Sequence, residues 1–389
     1  MNKKILIDIS SVVRNDVKTG VQRVVRSFVK NLKNVEQNEY TIHPVYASSN
    51  EQYKYANQYL FKNFGDTSKV NVPDDYVNFS SGDILFVPDI CFDVVFNHTK
   101  TYQNIRDNGG KIVFFVHDIL PMRMPQHFPQ QWIPLFNNYF KLIYNYGDAA
   151  ITGTMTVARD YNFWIKENKL SAKNFNIGWN HLGADIKASV PSVGAHPGIL
   201  KELDRIIKRP TFLMVGTIEP RKGHLHAIKA AEKLWEQGEN FNLFIVGKAG
   251  WMVEQTIGLL KNSKEFDRKL FWFNNVSDYV LDEIYNMSSC ILMASEGEGF
   301  GLPLIEAAQH NKPVLARDIP VFREIGKNCI NYFPNGNHKD LAASMRKWLK
   351  KYNIFEKHEN KIPFITWQES SNILFKMLTD SSHNNWILK

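Results

Sequence analysis

Short apolar runs alternate with amphipathic segments along the first 150 residues of the chain. The segments between the runs carry apolar residues at the spacing of three and four that is typical of a helix. Short apolar runs separated by helices indicate parallel strands that are buried on both faces. The predicted strands of this half are residues 5–9, 41–46, 84–87, 112–116 and 149–152. Between the first two, apolar positions within residues 21–32 predict a helix that Thr19 caps.

The same alternation restarts after residue 210, with predicted strands at residues 212–215, 243–246, 270–273, 291–294 and 314–316. Prolines and glycines collect in residues 187–210, which places a domain boundary there. We predict an N-terminal domain at residues 1–190 and a C-terminal domain at residues 191–370. Residues 371–389 are predicted to form a C-terminal helix and tail that could cross back to the N-terminal domain. Parallel α/β sheets bind ligands beyond the carboxyl ends of their strands, so the two domains should face each other across a cleft.

Composition supports a folded, basic protein. The 389 residues are 44% hydrophobic, which is enough for large cores, and the net charge of +8 favours an anionic partner without choosing among nucleic acid, nucleotide phosphates and a membrane. Three widely spaced cysteines exclude a zinc or disulfide framework and favour a reducing cytoplasm. Asp8 interrupts the first apolar run and no run is long enough to span a bilayer. We therefore expect a cytoplasmic protein that is either free or peripheral on the inner face of the plasma membrane.

Residues 295–306, SEGEGFGLPLIE, carry the strongest chemical pattern. Gly299 and Gly301 would let a ligand approach the backbone, and Pro303 suits the first turn of a helix whose N-terminus would favour a phosphate. A short glycine turn alone is as often an ordinary turn. The flanking carboxylates of Glu298 and Glu306, which are suited to sugar or ribose hydroxyls, favour the binding interpretation.

Further patterns follow other predicted strands. In residues 215–223, VGTIEPRKG, the cations of Arg221 and Lys222 could neutralise a diphosphate, although adjacent basic residues are usually a solvated pair. His117 in residues 116–121, VHDILP, could orient a ligand or be structural. Gly20 in residues 18–23, KTGVQR, marks either a ligand-facing loop or a plain helix entry. Two further motifs are IVGKAGW at residues 245–251 and VSD at residues 276–278.

Together these motifs resemble glycosyltransferase family 4, whose hallmark is two glutamates separated by seven residues around a GFGLP loop. The resemblance implies retaining transfer from a nucleotide sugar and the α/β GT-B fold, in which two Rossmann-like domains face across a cleft. It makes residues 1–190 the acceptor-side domain and residues 191–370 the nucleotide-sugar-binding domain. It implies that Glu298 contacts the donor sugar and Glu306 the ribose. The catalytic residues implied are His117, Arg221, Lys222 and Glu298, and the donor-binding residues are Gly20, Gly216, Thr217, Gly247, Lys248, Val276, Gly299, Phe300, Gly301, Leu302 and Glu306.

The chain departs from the family in two places. Thr217 stands where some members have an arginine, which removes a charge, and residues 150–156 lack the usual serine-containing stretch. No Asp-any-Asp triplet occurs in the sequence, so we expect neither a metal nor another cofactor beside the nucleotide-sugar co-substrate.

The resemblance is strongest to mannosyl- and rhamnosyltransferases. We therefore expect transfer of a hexose, with mannose from GDP-mannose as the first choice, to a saccharide or lipid-linked saccharide acceptor in surface-polysaccharide synthesis. dTDP-rhamnose or a UDP-sugar is the alternative donor. A sugar-nucleotide epimerase would share the architecture, but the glutamate pair argues against it. A basic nucleic-acid-binding protein is the alternative from another class, although no zinc spacing or concentrated basic tract supports it, and no nucleic-acid partner is expected.

Two features bear on a membrane partner. The predicted first helix carries Arg23, Arg26, Lys30 and Lys33, with Arg14 and Lys18 just before it. These basic residues would suit either an anionic membrane surface or a solvated helix face. Aromatic residues crowd the segment 128–144 and would form either an interfacial patch or a buried core helix.

Overall fold

The computed structural model describes residues 3–16, 19–35, 39–170, 174–184, 203, 206, 208–352 and 361–388. Its strands are β1 Lys3–Asp8, β2 Tyr40–Tyr46, β3 Lys54–Tyr55, β4 Ile84–Val87, β5 Lys111–Val116, β6 Ala149–Thr152, β7 Asn176–Trp179, β8 Thr211–Val215, β9 Asn242–Val246, β10 Leu270–Phe273, β11 Cys290–Met293, β12 Val314–Arg317, β13 Asn331–Phe333 and β14 Trp386–Leu388. The described α-helices are α1 Ser10–Arg14, α2 Gly20–Leu32, α3 Asn57–Phe64, α4 Phe92–Asn97, α5 Thr99–Asp107, α6 Leu120–Arg123, α7 Trp132–Tyr146, α8 Met155–Glu167, α9 His224–Glu236, α10 Glu254–Asn262, α11 Asp278–Met287, α12 Leu302–Gln309, α13 Pro320–Gly326, α14 His338–Lys351 and α15 Trp367–Thr379.

The strands form two separate sheets. The first has eight strands in the order β3-β2-β1-β4-β5-β6-β7-β14, and the second has six in the order β10-β9-β8-β11-β12-β13. Every pairing in the second sheet is parallel, and in the first sheet β3 and β14 run antiparallel at the two edges. In the second sheet the strand order reverses beside β8, which creates a crevice at the carboxyl ends of β8 and β11. The predicted α/β class with two Rossmann-like domains is confirmed.

The strands predicted from the apolar runs are all present, with ends that differ by a residue or two. The strands that the sequence did not predict, β3, β7, β13 and β14, are two to four residues long. Segments this short contain too few alternating positions for a periodic signal, so their pairing is decided by their neighbours in the sheet.

Helix α2 begins at a capping box, as its sequence predicts. The Thr19 hydroxyl accepts a hydrogen bond from the Gln22 backbone N–H, and the Gln22 side chain accepts one from the Thr19 backbone. The apolar face of α2 packs on the first sheet, where the Phe28 ring lies edge-on to Phe86 and Phe115, with ring centres 5.8 and 5.3 Å away. The helix is therefore held rigidly, with its N-terminus at the carboxyl ends of the strands.

The end of the described chain returns to the first sheet. Helix α15 packs against α2, where the rings of Trp367 and Phe28 meet edge-on at 5.7 Å, and β14 then pairs with β7. The helix begins at Trp367, a few residues before position 371 at which the predicted third segment starts. The predicted boundary region 187–210 lies largely outside the described residues.

The aromatic segment is mainly core. Phe128, Tyr139, Phe140 and Tyr144 are buried, and Trp132 and Phe136 are half-buried. Of the two interpretations left open for this segment, the structure favours the buried helix, and Phe128, Phe136, Tyr139 and Phe140 also line a cleft.

The basic residues near α2 are largely engaged within the protein. Arg14 pairs with Asp93, Arg26 pairs with Asp16, and Lys33 pairs with Asp66. Lys18 lies outside the described residues. Within the part of the chain that the structure describes, no helix combines the length and the apolar character needed to cross a bilayer.

Candidate functional site

A cleft of about 960 Å³ lies between the carboxyl ends of the two sheets. Every residue that the sequence singled out for a catalytic or binding role lines this one cleft: Gly20, His117, Gly216, Thr217, Arg221, Lys222, Gly247, Lys248, Val276, Glu298, Gly299, Phe300, Gly301, Leu302 and Glu306. The fold thus brings together residues that are almost 290 positions apart in sequence, from Gly20 to Glu306.

Glu298 lies in the loop between β11 and α12 and is 7% exposed. Its Oε1 accepts hydrogen bonds from Lys222 Nζ at 2.5 Å and Ser295 Oγ at 2.7 Å, and its Oε2 lies 3.3 Å from Arg221 Nη1. Burial alone would raise the pKa of Glu298, but the charges of Lys222 and Arg221 and the hydrogen bonds from Lys222 and Ser295 lower it to about 2. The carboxylate is therefore an anion at any physiological pH, and it is fixed in position.

The two cations occupy a single 3-10 turn, Pro220–Lys222, directly after β8. Arg221 Nη1 donates to the Gly297 carbonyl at 3.0 Å, and its Nη2 lies 3.0 Å from Glu219 Oε2. The Glu296 backbone N–H also donates to the Arg221 carbonyl at 2.7 Å. These contacts clamp the turn after β8 to the loop after β11, so the basic and acidic groups hold one geometry.

Gly299 and Gly301 let the loop fit between the domains. A Cβ on Gly299 would stand 2.3 Å from the His117 carbonyl oxygen, which belongs to the first domain. Gly301 precedes α12 with a φ of 89°, a left-handed conformation that side chains disfavour. The start of α12 consequently opens into the cleft, where its free N–H groups and dipole favour a phosphate.

Glu306 lies within α12 and is 3% exposed. Its Oε2 accepts a hydrogen bond from Tyr285 Oη at 2.5 Å, and its Oε1 accepts one from Arg23 Nη1 at 2.6 Å. Arg23 belongs to α2 of the first domain, so this ion pair crosses the cleft. The sequence left Arg23 with two alternatives, an anionic membrane surface or a solvated helix face. For this residue both are wrong, because its side chain turns into the cleft.

The loops after β8 and β9 pack backbone against backbone. Gly216 has a φ of 136° and Gly247 a φ of 152°, and a Cβ on Gly247 would stand 2.0 Å from the Gly216 carbonyl oxygen. The Ile218 N–H donates to the Lys248 carbonyl at 2.8 Å, which holds the same two loops together. Gly216, Thr217, Gly247 and Lys248 thus form one wall of the cleft.

His117 is half-buried in the cleft wall, and its imidazole is neutral. Its Nε2 lies 2.8 Å from the Pro88 carbonyl oxygen, a contact that places the ring proton on Nε2 and leaves Nδ1 as an acceptor. Burial lowers the pKa of His117, against the smaller effects of that hydrogen bond and of Asp118. Asp118 accepts a hydrogen bond from the Leu120 N–H at 3.0 Å, so it caps the turn, while Pro88 fixes the tautomer.

Several residues of this site were given no role from the sequence. Glu219, Ser295, Tyr285 and Arg23 each contact a predicted site residue through a side chain. Glu219 and Ser295 stand inside the motifs and could have been found there. Tyr285 and Arg23 come from other helices, and spacing in sequence carries no signal for such contacts.

Comparison with known proteins finds relatives of this chain among the glycosyltransferases. Residues 199–362 match the family model described as Glycosyl transferases group 1. The chain is 40% identical over 386 residues to the serotype-specific mannosyltransferase WbdA of Escherichia coli, covering 97% of this chain and 46% of WbdA. It is 27% identical over 232 residues to the O-antigen chain mannosyltransferase RfbU of Salmonella typhimurium, covering 59% of each. The chain thus spans about half the length of WbdA.

Solved structures agree on the architecture. The crystal structure of Anabaena Alr3699/HepE in complex with UDP and glucose matches with a TM-score of 0.59 at 13% identity, covering 98% of this chain and 96% of that one. At this identity the likeness concerns the fold, which is the two-domain arrangement with a cleft between the sheets.

Proposed function

We propose that the chain transfers a hexose from a nucleoside diphosphate sugar to a saccharide acceptor in surface-polysaccharide synthesis, because residues 199–362 match the group 1 glycosyl transferases and the fold is GT-B. The observation that carries the proposal is Glu298, a buried carboxylate held by Lys222 and Arg221 at the base of the cleft. The start of α12 lies beside it and provides a place for the donor's phosphates.

The charges around Glu298 suit departure of a nucleoside diphosphate. When the bond between the sugar C1 and the diphosphate oxygen breaks, the electron pair leaves with the diphosphate and positive charge develops at C1. Lys222 and Arg221 would stabilise the leaving diphosphate, and the anionic Glu298 would stabilise and position the sugar. Both cations are held before the reaction, so little reorganisation is needed.

We propose retention of configuration, with attack on the face from which the diphosphate leaves. The acceptor hydroxyl forms the new bond to C1, and its proton passes to an oxygen of the departing diphosphate, so no covalent enzyme nucleophile is required. His117 is neutral and offers Nδ1 as an acceptor, which suits orientation of a sugar hydroxyl. We assign it that role.

For the donor we propose GDP-mannose, since two relatives are named mannosyltransferases. The acceptor proposed is a lipid-linked saccharide, in keeping with the O-antigen chain that names RfbU. A neighbour of the same fold was solved with UDP and glucose, so UDP-glucose belongs in the test panel with dTDP-rhamnose.

We propose that no metal takes part, because Lys222 and Arg221 provide positive charge where the diphosphate would lie. The transfer assay should therefore proceed equally in EDTA and in added magnesium. A requirement for magnesium would overturn this part of the proposal and leave the family assignment intact.

The central test is Glu298→Ala. Transfer of mannose from GDP-mannose to an O-antigen-type acceptor, followed by mass spectrometry of the product, should fall by roughly 10³-fold, because a preorganised charge at the reacting centre is lost. Glu296→Ala is the matched control, since Glu296 lies two residues away, outside the cleft lining, and should retain most of the activity. Unchanged transfer by Glu298→Ala, with its fold verified by circular dichroism, would refute the assignment of the site.

A further inference from the structure

We propose that Arg23 is a positioning residue that couples domain closure to recognition of the donor's ribose. From the first domain it fixes the carboxylate of Glu306, and it can do so only when the two domains are closed. The inference rests on the proposed function, since it takes Glu306 as the group that receives the ribose hydroxyls.

The contact is short, largely buried and joins the two domains. Arg23 lies on α2, four residues after the Thr19 cap, and Glu306 lies on α12 in the other domain. Their atoms Nη1 and Oε1 are 2.6 Å apart, while the side chains are 20% and 3% exposed. A charge-assisted hydrogen bond of this length depends strongly on geometry, so opening of the cleft by a few ångströms would break it.

The carboxylate of Glu306 has acceptor capacity left for a diol. An ionised carboxylate offers about four acceptor positions, two on each oxygen. Tyr285 uses one on Oε2 and Arg23 uses one on Oε1. One position therefore remains on each oxygen, which matches the two neighbouring hydroxyls of a ribose. Tyr285 alone would leave the carboxylate anchored on one side, whereas the two partners together fix its plane.

Arg23 is also part of the cleft wall. It lines the cleft together with Glu306, and its Nε is buried without a hydrogen-bond partner in the described structure. Arg26, one turn further along α2, instead pairs with Asp16 inside its own domain. The helix thus presents one arginine that crosses the cleft and one that does not, which gives a matched control.

The test compares nucleotides that differ only in the ribose. Binding of GDP and 2′,3′-dideoxy-GDP is measured by calorimetry for wild type, Arg23→Ala and Arg26→Ala. Wild type should prefer GDP by roughly tenfold or more, because the dideoxy analogue leaves the carboxylate short of partners. Arg23→Ala should lose most of that preference while binding the dideoxy analogue almost as wild type does. Arg26→Ala should keep the full preference.

Failure of the inference is distinguishable from failure of the proposed function. If wild type binds none of GDP, UDP and dTDP, the proposed function falls. If it binds dTDP alone, whose deoxyribose has no 2′-hydroxyl, the inference falls and the proposed function stands. If it prefers UDP, the same comparison is made with UDP and 2′,3′-dideoxy-UDP. If wild type discriminates against the dideoxy analogue and Arg23→Ala does so equally, only the role of Arg23 is overturned.

A second variant, Arg23→Lys, keeps the inference testable in case Arg23→Ala does not fold. Arg23→Lys keeps the charge on α2 but loses the guanidinium fork, so it should give an intermediate preference for the ribose. Small-angle scattering of the nucleotide-free protein should show a larger radius of gyration for Arg23→Ala than for wild type. A ribose preference in Arg23→Lys equal to that of wild type, with no change of radius in any variant that folds, would contradict the coupling.

Discussion

Single residues decide how closely the two domains approach. Glu298, Lys222 and Glu306 were predictable because their types and spacing identify them within one stretch of chain. Arg23 and Tyr285 were not, because a helix sequence does not tell which distant carboxylate its side chain will reach. The glycines are predictable in part. The sequence predicts that another group approaches the backbone closely at Gly299, and only the structure shows that this group is the His117 carbonyl oxygen.

Replacing Gly299 with alanine should therefore impair the cleft while sparing each domain. The new Cβ would stand 2.3 Å from a backbone oxygen of the first domain, which cannot move as a flexible side chain can. We expect at least a tenfold loss of donor affinity, roughly 1.4 kcal/mol, measured by calorimetry. Gly258→Ala in α10, where nothing lies within 4 Å, is the control and should bind as wild type does. Equal affinities for the two variants would contradict the close approach.

Helices and strands differ in how far the sequence specifies them. The long apolar strands and the Thr19-capped helix α2 follow from local pattern alone. The beginning of α8 does not, because part of its cap comes from the other domain. Glu324 on α13 accepts hydrogen bonds from the Met155 and Thr156 N–H groups, both at 2.8 Å, and lies 3.0 Å from His181 Nε2. No pattern near residue 155 predicts a carboxylate more than 160 positions away.

Glu324→Gln should consequently weaken both α8 and the contact between the domains. The amide has one acceptor oxygen in place of two, so a buried helix N–H loses its partner, at a cost of about 1–3 kcal/mol in the free energy of unfolding. Urea denaturation would measure this cost. The control is Glu254→Gln in the first turn of α10, where the carboxylate interacts with the dipole of its own helix within one domain. It should lower the free energy of unfolding by less than about 1 kcal/mol. Similar losses for both variants would show that the contact between domains adds nothing.

At the scale of the whole molecule, the sequence predicts two α/β domains, and the structure shows what joins them. Beside the pairs at Glu306 and Glu324, the Trp251 indole N–H donates to the His127 carbonyl at 2.8 Å across the cleft. Relative placement of domains depends on a few such contacts, each specific in geometry, and apolar periodicity contains no information on them. The strand at residues 386–388 was not predictable for the same reason, because three residues show no periodicity and their sequence indicates only a short tail.

The buried side of β14 should matter for stability far more than its exposed side. Trp386 is 8% exposed and packs over Gly178, where a Cβ would stand 2.8 Å from the indole, whereas its neighbour Ile387 is 36% exposed. Trp386→Ala should lower the free energy of unfolding by about 3 kcal/mol, and Ile387→Ala by less than about 1 kcal/mol. Circular dichroism during urea titration would compare them. Equal effects would mean that β14 does not pack as described.

The return of the chain to the first sheet has a consequence for biosynthesis. Domains usually fold in the order in which a ribosome releases them. Here the strands of the second sheet, residues 211–333, are translated before Trp386–Leu388, the edge strand of the first. The first domain is therefore the first to begin synthesis and the last to receive all of its strands. Until residues 386–388 have been translated, the edge of β7 is unpaired and exposed to other nascent chains.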